Sequence, residues 1–259
     1  LMEKRLGLEE RRAALFQLVE RESSVRVQQL VAEFGVSPVT IRGDLAALER
    51  DGKLKRTHGG AVSLSRRLTV SVQEKRLGVQ VEAKRLIARR AAALVQDGET
   101  LLVDSGTTAL ELVRALSLHA GLKIVTCDLT IADFIDSSMP SCDVILLGGM
   151  VRKAHRYTTG PLALASLASL HADVAFVCPG SYVRGCGLMT DYPSMAELKR
   201  ALLGGADRRV CLMDASKVGA RGLIRFGGLA DVETVVMDED PQGLVAAELE
   251  GLDVGLVVA

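Results

Sequence analysis

Two rhythms of apolar positions divide the chain. Over the first fifty residues they recur at helical spacing. The stretch "EERRAALFQLVERE" (9–22) sets Leu15, Leu18, Val19 and Glu22 on one face. The stretch "VQQLVAEF" (27–34) places Val27, Leu30, Val31 and Phe34 at i, i+3, i+4 and i+7, and Gly35 ends it. A third helix starts at Ser37 as N-cap, with Pro38 at the first helical position, where a missing N–H costs nothing. It carries Ile41, Leu45 and Leu48 inward and ends at Asp51-Gly52. The short link "GVS" between the second and third helices predicts a helix-turn-helix. The following "KLKRTHGGAV" (53–62) reads as a β-ribbon turning at Gly59-Gly60. Helices followed by a ribbon describe a winged helix.

The second rhythm begins after "SLSRRLTVSVQEKRLGVQVE" (63–82), a polar and weakly periodic stretch that reads as a linker. It ends in a helix, "EAKRLIARRAAALVQDG", that offers Leu86, Ile87, Ala91 and Leu94 to the next core. Seven apolar runs then read as strands, at 100–104, 122–126, 143–149, 173–178, 209–214, 232–238 and 252–258. Helices near 107–116, 129–137, 162–170 and 194–203 separate the first five. Nearly continuous apolar strands alternating with helices predict a buried parallel sheet, the α/β class. The expected organisation is a winged helix over 1–64, a linker over 65–82 and an α/β domain over 83–259.

Composition narrows the function classes. Hydrophobic residues make up 48% and charged residues 25%, so a sizeable core is expected and disorder is not. Aromatics are 3% and Trp is absent, so Leu, Val, Ile and Ala must fill that core. No stretch approaches the ~18 apolar residues of a spanning helix. The start "LMEKRLGLEERR" lacks the apolar run of a secretion signal, and a cytoplasmic protein is expected. Cys127, Cys142, Cys178, Cys186 and Cys211 form no CxxC pair or zinc-ligand spacing, and the four histidines are scattered. Reduced thiols, no metal and no cofactor are the expectation.

Net charge is zero but unevenly spread. Residues 1–66 hold 12 basic and 9 acidic side chains, and residues 35–67 hold 7 basic and 3 acidic. A helix turns ~100° per residue, so with Ile41 inward the outer face carries Val39, Gly43, Ala46 and Arg50, flanked by Thr40 and Arg42. Small outer residues let a helix approach a groove closely. Ser37, Val39, Thr40 and Arg42 fall in the first turns, where a recognition helix meets bases and phosphates. Lys53, Lys55, Arg56 and His58 on the ribbon can reach the neighbouring backbone. The bland alternative is a three-helix core with solvated charges. The tight turn, the Ser-Pro cap and the basic ribbon together favour double-stranded DNA.

The stretch "SPVTIRGDLAALERDGKLKRTHGGAV" (37–62) resembles the DNA-binding signature of the DeoR family of bacterial transcription regulators. Ser37, Thr40, Ile41, Arg42, Asp44, Leu45, Leu48, Gly52, Arg56, His58, Gly59, Gly60 and Ala61 match its pattern. Gly43 departs from it, standing where the family usually has a second Arg. That removes a possible DNA contact and costs roughly 1 kcal/mol of helix propensity.

A second candidate site is "LLVDSGTTALELV" (101–113), a strand, turn and helix. Gly106 permits close backbone approach, Ser105, Thr107 and Thr108 supply hydroxyls, and the helix start offers free N–H groups. It is neither the P-loop nor the dinucleotide motif. Alone, it reads equally well as a capped turn. However, ligands of parallel sheets sit at strand C-termini, and Thr126, Gly148-Gly149 with Arg152 and Lys153, Pro179-Gly180-Ser181 and Ser216-Lys217 all follow strands. Small residues beside Arg152, Lys153 and Lys217 suit a small polar anion. The order of these motifs is similar to that of the DeoR-family sensor domain. That resemblance implies a fold like ribose-5-phosphate isomerase and glucosamine-6-phosphate deaminase and an effector that is a phosphorylated sugar or its metabolite. It also implies that Asp104, Ser105, Gly106, Thr107, Thr108 and Lys217 line the pocket. Cys127 and "CPGSY" (178–182) depart from the family pattern. Glu197 and Lys199, two apart on a helix, do not share a face, so at least one is ordinary surface.

Three functions remain distinct at this point. The first is a ligand-responsive repressor of carbohydrate-metabolism genes, acting as a homodimer or higher oligomer because one helix-turn-helix reads only a half-site. The second is an isomerase or deaminase with a DNA-binding head; the acidic Asp-Gly-Ala-Asp-Glu segment such enzymes carry is not in the chain, so an enzyme is not expected. The third is a ligand-blind DNA-bound scaffold.

Overall fold

A computed structural model describes residues 7–22, 24–57, 59–63 and 76–259. The chain divides into two compact units, 1–71 and 72–259.

The first unit runs α1 (Leu8–Glu22), β1 (Ser24–Arg26), α2 (Val27–Phe34), α3 (Pro38–Arg50), β2 (Leu54–Thr57) and β3 (Gly60–Ser63). Leu15, Leu18, Val19, Leu30, Ile41, Leu45, Leu48 and Leu54 form its core. Val31 and Phe34 pack at the rim, while Glu22, placed by spacing on the inner face of α1, is exposed. Gly35 takes the left-handed conformation (φ 60°), and its N–H closes on the Val31 carbonyl at 3.0 Å. The ribbon is a three-stranded sheet of order β1-β3-β2, with β1 too short to read from the sequence. Gly60 is obligatory there: a Cβ would lie 1.8 Å from the Val25 carbonyl oxygen. Asp44, on α3, is buried and receives Arg11 Nε at 2.7 Å and Arg12 Nε at 3.1 Å, which ties α1 to α3.

The second unit holds α4 (Val81–Ala92), β4 (Thr100–Val103), α5 (Thr107–Ala115), β5 (Lys123–Thr126), α6 (Leu129–Ser138), β6 (Asp143–Leu146), β7 (Met150–Arg152) and β8 (Tyr157–Thr159). It continues through α7 (Pro161–Leu167), β9 (Ala172–Val177), β10 (Ser181–Val183), β11 (Gly187–Thr190), α8 (Pro193–Gly204), β12 (Ala206–Leu212), β13 (Ile224–Gly227), β14 (Thr234–Met237), α9 (Leu244–Leu249) and β15 (Gly255–Val258). The seven strands expected from the apolar runs all join one parallel sheet, of order β15-β14-β12-β9-β4-β5-β6. Side chains alternate across it with the strand period of two. Leu101, Val103, Ile124, Val174 and Phe176 pack with α4, α5 and α6. Leu102, Val125, Ala175 and Val177 face α7, α8 and α9.

Leu86 does not join the core expected of it. It is 43% exposed, because the buried stripe of α4 runs through Lys84, Ile87, Ala88, Ala91 and Ala92, and Leu86 lies off it. Two small antiparallel sheets, β7-β8 and β10-β11-β13, were not legible; their strands are three or four residues long.

Candidate functional site

The outer face of α3 is built by its N-cap. Ser37 Oγ accepts the Thr40 N–H at 3.1 Å and meets the Thr40 hydroxyl at 2.9 Å, so both hydroxyls are engaged in starting the helix. Val39 is 75% exposed and Arg42 is exposed, one turn into the helix. Around Gly43 a Cβ would meet no atom within 4 Å. Lys53 and Lys55 are exposed on the ribbon side. Arg56 donates its backbone N–H to Glu49 Oε1 at 2.8 Å and holds its guanidinium 4.0 Å from Glu49, latching the ribbon to α3. Arg42 and Arg56 line the groove between helix and ribbon. His58 lies outside the described residues.

In the second unit a cavity of about 270 Å³ opens at the C-terminal ends of β4, β9 and β12. Ser105, Gly106, Thr107, Thr108 and Lys217 line it. Gly106 has φ 129°, a conformation only glycine adopts easily, with open space where a Cβ would be. Its N–H is taken by Asp128 Oδ2 at 3.1 Å. Asp128 is fully buried and also caps α6 through Thr130 N–H and Ile131 N–H. By contrast, the Thr107 and Thr108 N–H groups meet no partner among the described residues. They are the free donors of a helix N-terminus facing a cavity.

The other expected residues stand behind or beside the wall. Asp104 is fully buried, accepting from Ser105 N–H and Cys178 N–H, each at 2.8 Å, and from the Lys199 ammonium. Lys199 also reaches the Cys178 carbonyl at 2.8 Å, so the pair stitches the ends of β4 and β9 to α8. Lys199 is buried and Glu197 exposed, as their spacing on one helix requires. Thr126 Oγ1 accepts the Asp128 N–H at 3.1 Å. Gly148 and Gly149 lie outside the lining; a Cβ on Gly149 would fall 2.7 Å from the Thr159 carbonyl oxygen. Arg152 stacks over the Tyr192 ring at 3.4 Å, one residue removed from the cavity. Cys127 is buried outside the lining, and burial beside Asp104 and Asp128 keeps its thiol protonated. Of the "CPGSY" segment, Cys178, Pro179 and Gly180 line the cavity.

Several lining residues carried no sequence signal. His155, Tyr157 and Tyr192 form an aromatic wall, with ring centroids 5.8 and 5.2 Å from His155. Two of the chain's three tyrosines gather there. The Tyr157 hydroxyl is buried without a partner among the described residues, and burial pushes its pKa up to about 12. Burial, then Arg152 and Arg76, lowers the His155 pKa below its usual 6.5, leaving a neutral ring at pH 7. Arg76, Val79 and Lys84 close another side. Asp214, buried, caps Ser216 N–H at 3.1 Å and lies 3.8 Å from Lys217 Nζ. The wall thus offers cations, two unused N–H donors and an unused hydroxyl, the donor set of a small polar anion.

Comparison with known proteins bears on both sites. Residues 11–67 match the DeoR-like helix-turn-helix domain, and residues 79–239 match the DeoR C terminal sensor domain. The chain is 32% identical to the putative aga operon transcriptional repressor of Escherichia coli O157:H7, over 96% of this chain and 93% of that one. It is 30% identical to the glycerol-3-phosphate regulon repressor of Escherichia coli K12, over 90% and 91%. A weak structural likeness extends to ribose 5-phosphate isomerase A of Methanocaldococcus jannaschii, with a TM-score of 0.40 and 16% identity over 54% of this chain and 55% of that one. No described helix is long and apolar enough to cross a membrane.

Proposed function

The chain belongs to the DeoR family of transcriptional regulators, and we propose that it is a repressor of carbohydrate-metabolism genes controlled by a small phosphorylated metabolite in the sheet-domain cavity. The observation that carries the effector reading is the pair of N–H groups at Thr107 and Thr108, unpartnered among the described residues and at the same cavity as Lys217. A phosphate placed there gains both amides and the helix dipole. The Tyr157 hydroxyl, without a partner among the described residues, supplies a further contact for the sugar or polyol portion. The relative named for the glycerol-3-phosphate regulon supports a small phosphorylated metabolite as the class.

Operator DNA is read by α3. Val39, exposed at the helix start, suits a thymine methyl, and Arg42 suits a guanine edge. Lys53, Lys55, Arg56 and His58 serve the phosphates, and Ser37 and Thr40 fix the helix start that presents Val39 and Arg42. Asp104 and Thr126 act by bracing the cavity; Arg152 acts through Tyr192. The functional boundaries remain 1–64 for the head, 65–82 for the linker and 83–259 for the sensor, except that Arg76 and Val79 serve the sensor. The active species is a cytoplasmic homodimer or higher oligomer, and sedimentation as a monomer at micromolar concentration would overturn that.

A thermal-shift panel of phosphorylated sugars, polyols and acids tests the effector. A ligand at a hundredfold its dissociation constant stabilises by ~2.7 kcal/mol. A silent panel on folded protein would remove the metabolite and leave a ligand-blind regulator.

A further inference from the structure

We propose that Arg76 and Lys84 contact the effector, and that the Arg76–Gln80 turn they anchor is the part of the cavity wall that rearranges on binding. The proposal rests on the cavity being the effector site. Lys84 is only 5% exposed. Its ammonium donates to the Arg76 carbonyl at 2.7 Å and to the Val79 carbonyl. Among the described residues no carboxylate oxygen lies within ion-pairing distance of it, unlike Lys199 with Asp104 and Lys217 with Asp214. A buried cation whose direct partners are carbonyls, with Asp214 acting on it only from beyond ion-pairing distance, is poorly compensated, and an anion entering the cavity it lines supplies what is missing.

The turn itself is tense. Gln80 sits at φ 52° and ψ 43°, in the left-handed region that a side chain rarely adopts, directly before α4. Lys84 spans from α4 back to both ends of the Arg76–Val79 segment. An oxyanion that draws the ammonium inward loosens those carbonyls, and the same oxyanion attracts the Arg76 guanidinium. Residues 76–80 fall within the 65–82 stretch read as the linker, so a rearranged turn alters the segment that joins sensor and head in sequence. Ligand binding shifts DNA occupancy only through such a difference between two states.

The test uses the full chain with inorganic phosphate and glycerol 3-phosphate as probes, measuring affinity by calorimetry and backbone hydrogen exchange by mass spectrometry. In the unsubstituted protein, a probe should alter exchange over 76–84 as well as over 105–112. Arg76→Gln and Lys84→Met should each weaken binding about tenfold or more, the worth of one charge-assisted contact. Arg85→Gln, on the exposed side of α4, should bind unchanged. Unchanged affinity in Arg76→Gln and in folded Lys84→Met, or an exchange change confined to 105–112, overturns the proposal. If Lys84→Met does not fold, Arg76→Gln decides. Probes that alter exchange nowhere in the unsubstituted protein overturn the cavity reading itself, a separate failure that takes this proposal with it.

Discussion

On α3 and the ribbon, Arg42, Lys53 and Lys55 stand in solvent, whereas around the cavity Lys84 and Lys199 are 5% and 4% exposed. Exposed cations act as a field: they gain from phosphates by counterion release, and each can be lost at modest cost. Buried cations act by position, and removing one member of a buried ion pair leaves the other uncompensated. The head can therefore tolerate a missing Arg at Gly43, while the sensor should tolerate no loss from its Asp104–Lys199 pair.

The largest effect is expected there. Asp104→Ala leaves the Lys199 ammonium buried with one carbonyl partner and frees the Cys178 N–H. Breaking such a pair costs about 3–5 kcal/mol. Denaturant unfolding of the sheet unit reads it; a loss under about 1 kcal/mol would erase the contrast between buried and exposed cations. The corresponding pair in the head, Asp44 with Arg11 and Arg12, should lie at or below the lower end of that range, because the two arginines are 13% and 27% exposed and can turn to water.

The expected effect at the DNA face is smaller. Arg42→Ala should weaken operator binding by ~1–3 kcal/mol if it reads a base, whereas Lys55→Ala should weaken all DNA alike and lower the salt slope by about 0.9. Gel-shift titrations at several salt concentrations separate the two. An unchanged operator constant for Arg42→Ala would move recognition to Val39 and the ribbon.

What was legible in the sequence follows from the length over which each signal is spread. Strands such as Thr100–Val103 and Ala172–Val177 announce themselves because both faces are buried, so every residue is apolar. Tyr157–Thr159 and Ser181–Val183 are too brief for any period to show. The "SGTT" edge of the cavity was legible because four contiguous residues build it. Lys84, Tyr157 and Tyr192 come from separate segments that only the fold brings together. Lys84 in "EAKRLIARR" looks like any solvated helix cation, and Leu86 like the core residue, until the stripe through Ile87 and Ala91 reverses them. Arg152 lies near the cavity without lining it because the β7-β8 hairpin presents His155 and Tyr157 instead.

Protonation sharpens the contrast further. Burial lowers the Lys84 pKa from 10.5, opposed by Asp214 and reinforced by Lys217 and Arg76, with Glu111 a weaker opposing charge. The folded chain then binds fewer protons than the unfolded chain between the lowered value and 10.5, so this group makes stability rise with pH in that window. An anionic effector needs the ammonium, so its affinity should fall over the same window, and Lys84→Met should abolish that part of the fall. Calorimetry at a series of alkaline pH values reads it; identical profiles in both proteins would remove Lys84 from the contact set.

The smallest effect is the most discriminating about the head. Gly43 lies inside α3, where glycine costs roughly 0.8–1.0 kcal/mol relative to alanine, and a Cβ there meets nothing within 4 Å. Gly43→Ala should therefore stabilise the winged helix by about 1 kcal/mol, read as a higher denaturant midpoint at unchanged slope. Operator affinity then separates two reasons for the glycine. Unchanged affinity means that the position merely lacks the family's second Arg; Gly43→Arg should then strengthen binding and steepen the salt slope by about 0.9, as one more exposed cation does. A weaker operator complex, despite the more stable fold, means that the α3 backbone presses so close to the groove that a methyl group is already too large. In that case the head, too, relies on fit, and its difference from the sensor narrows to the charges on its ribbon.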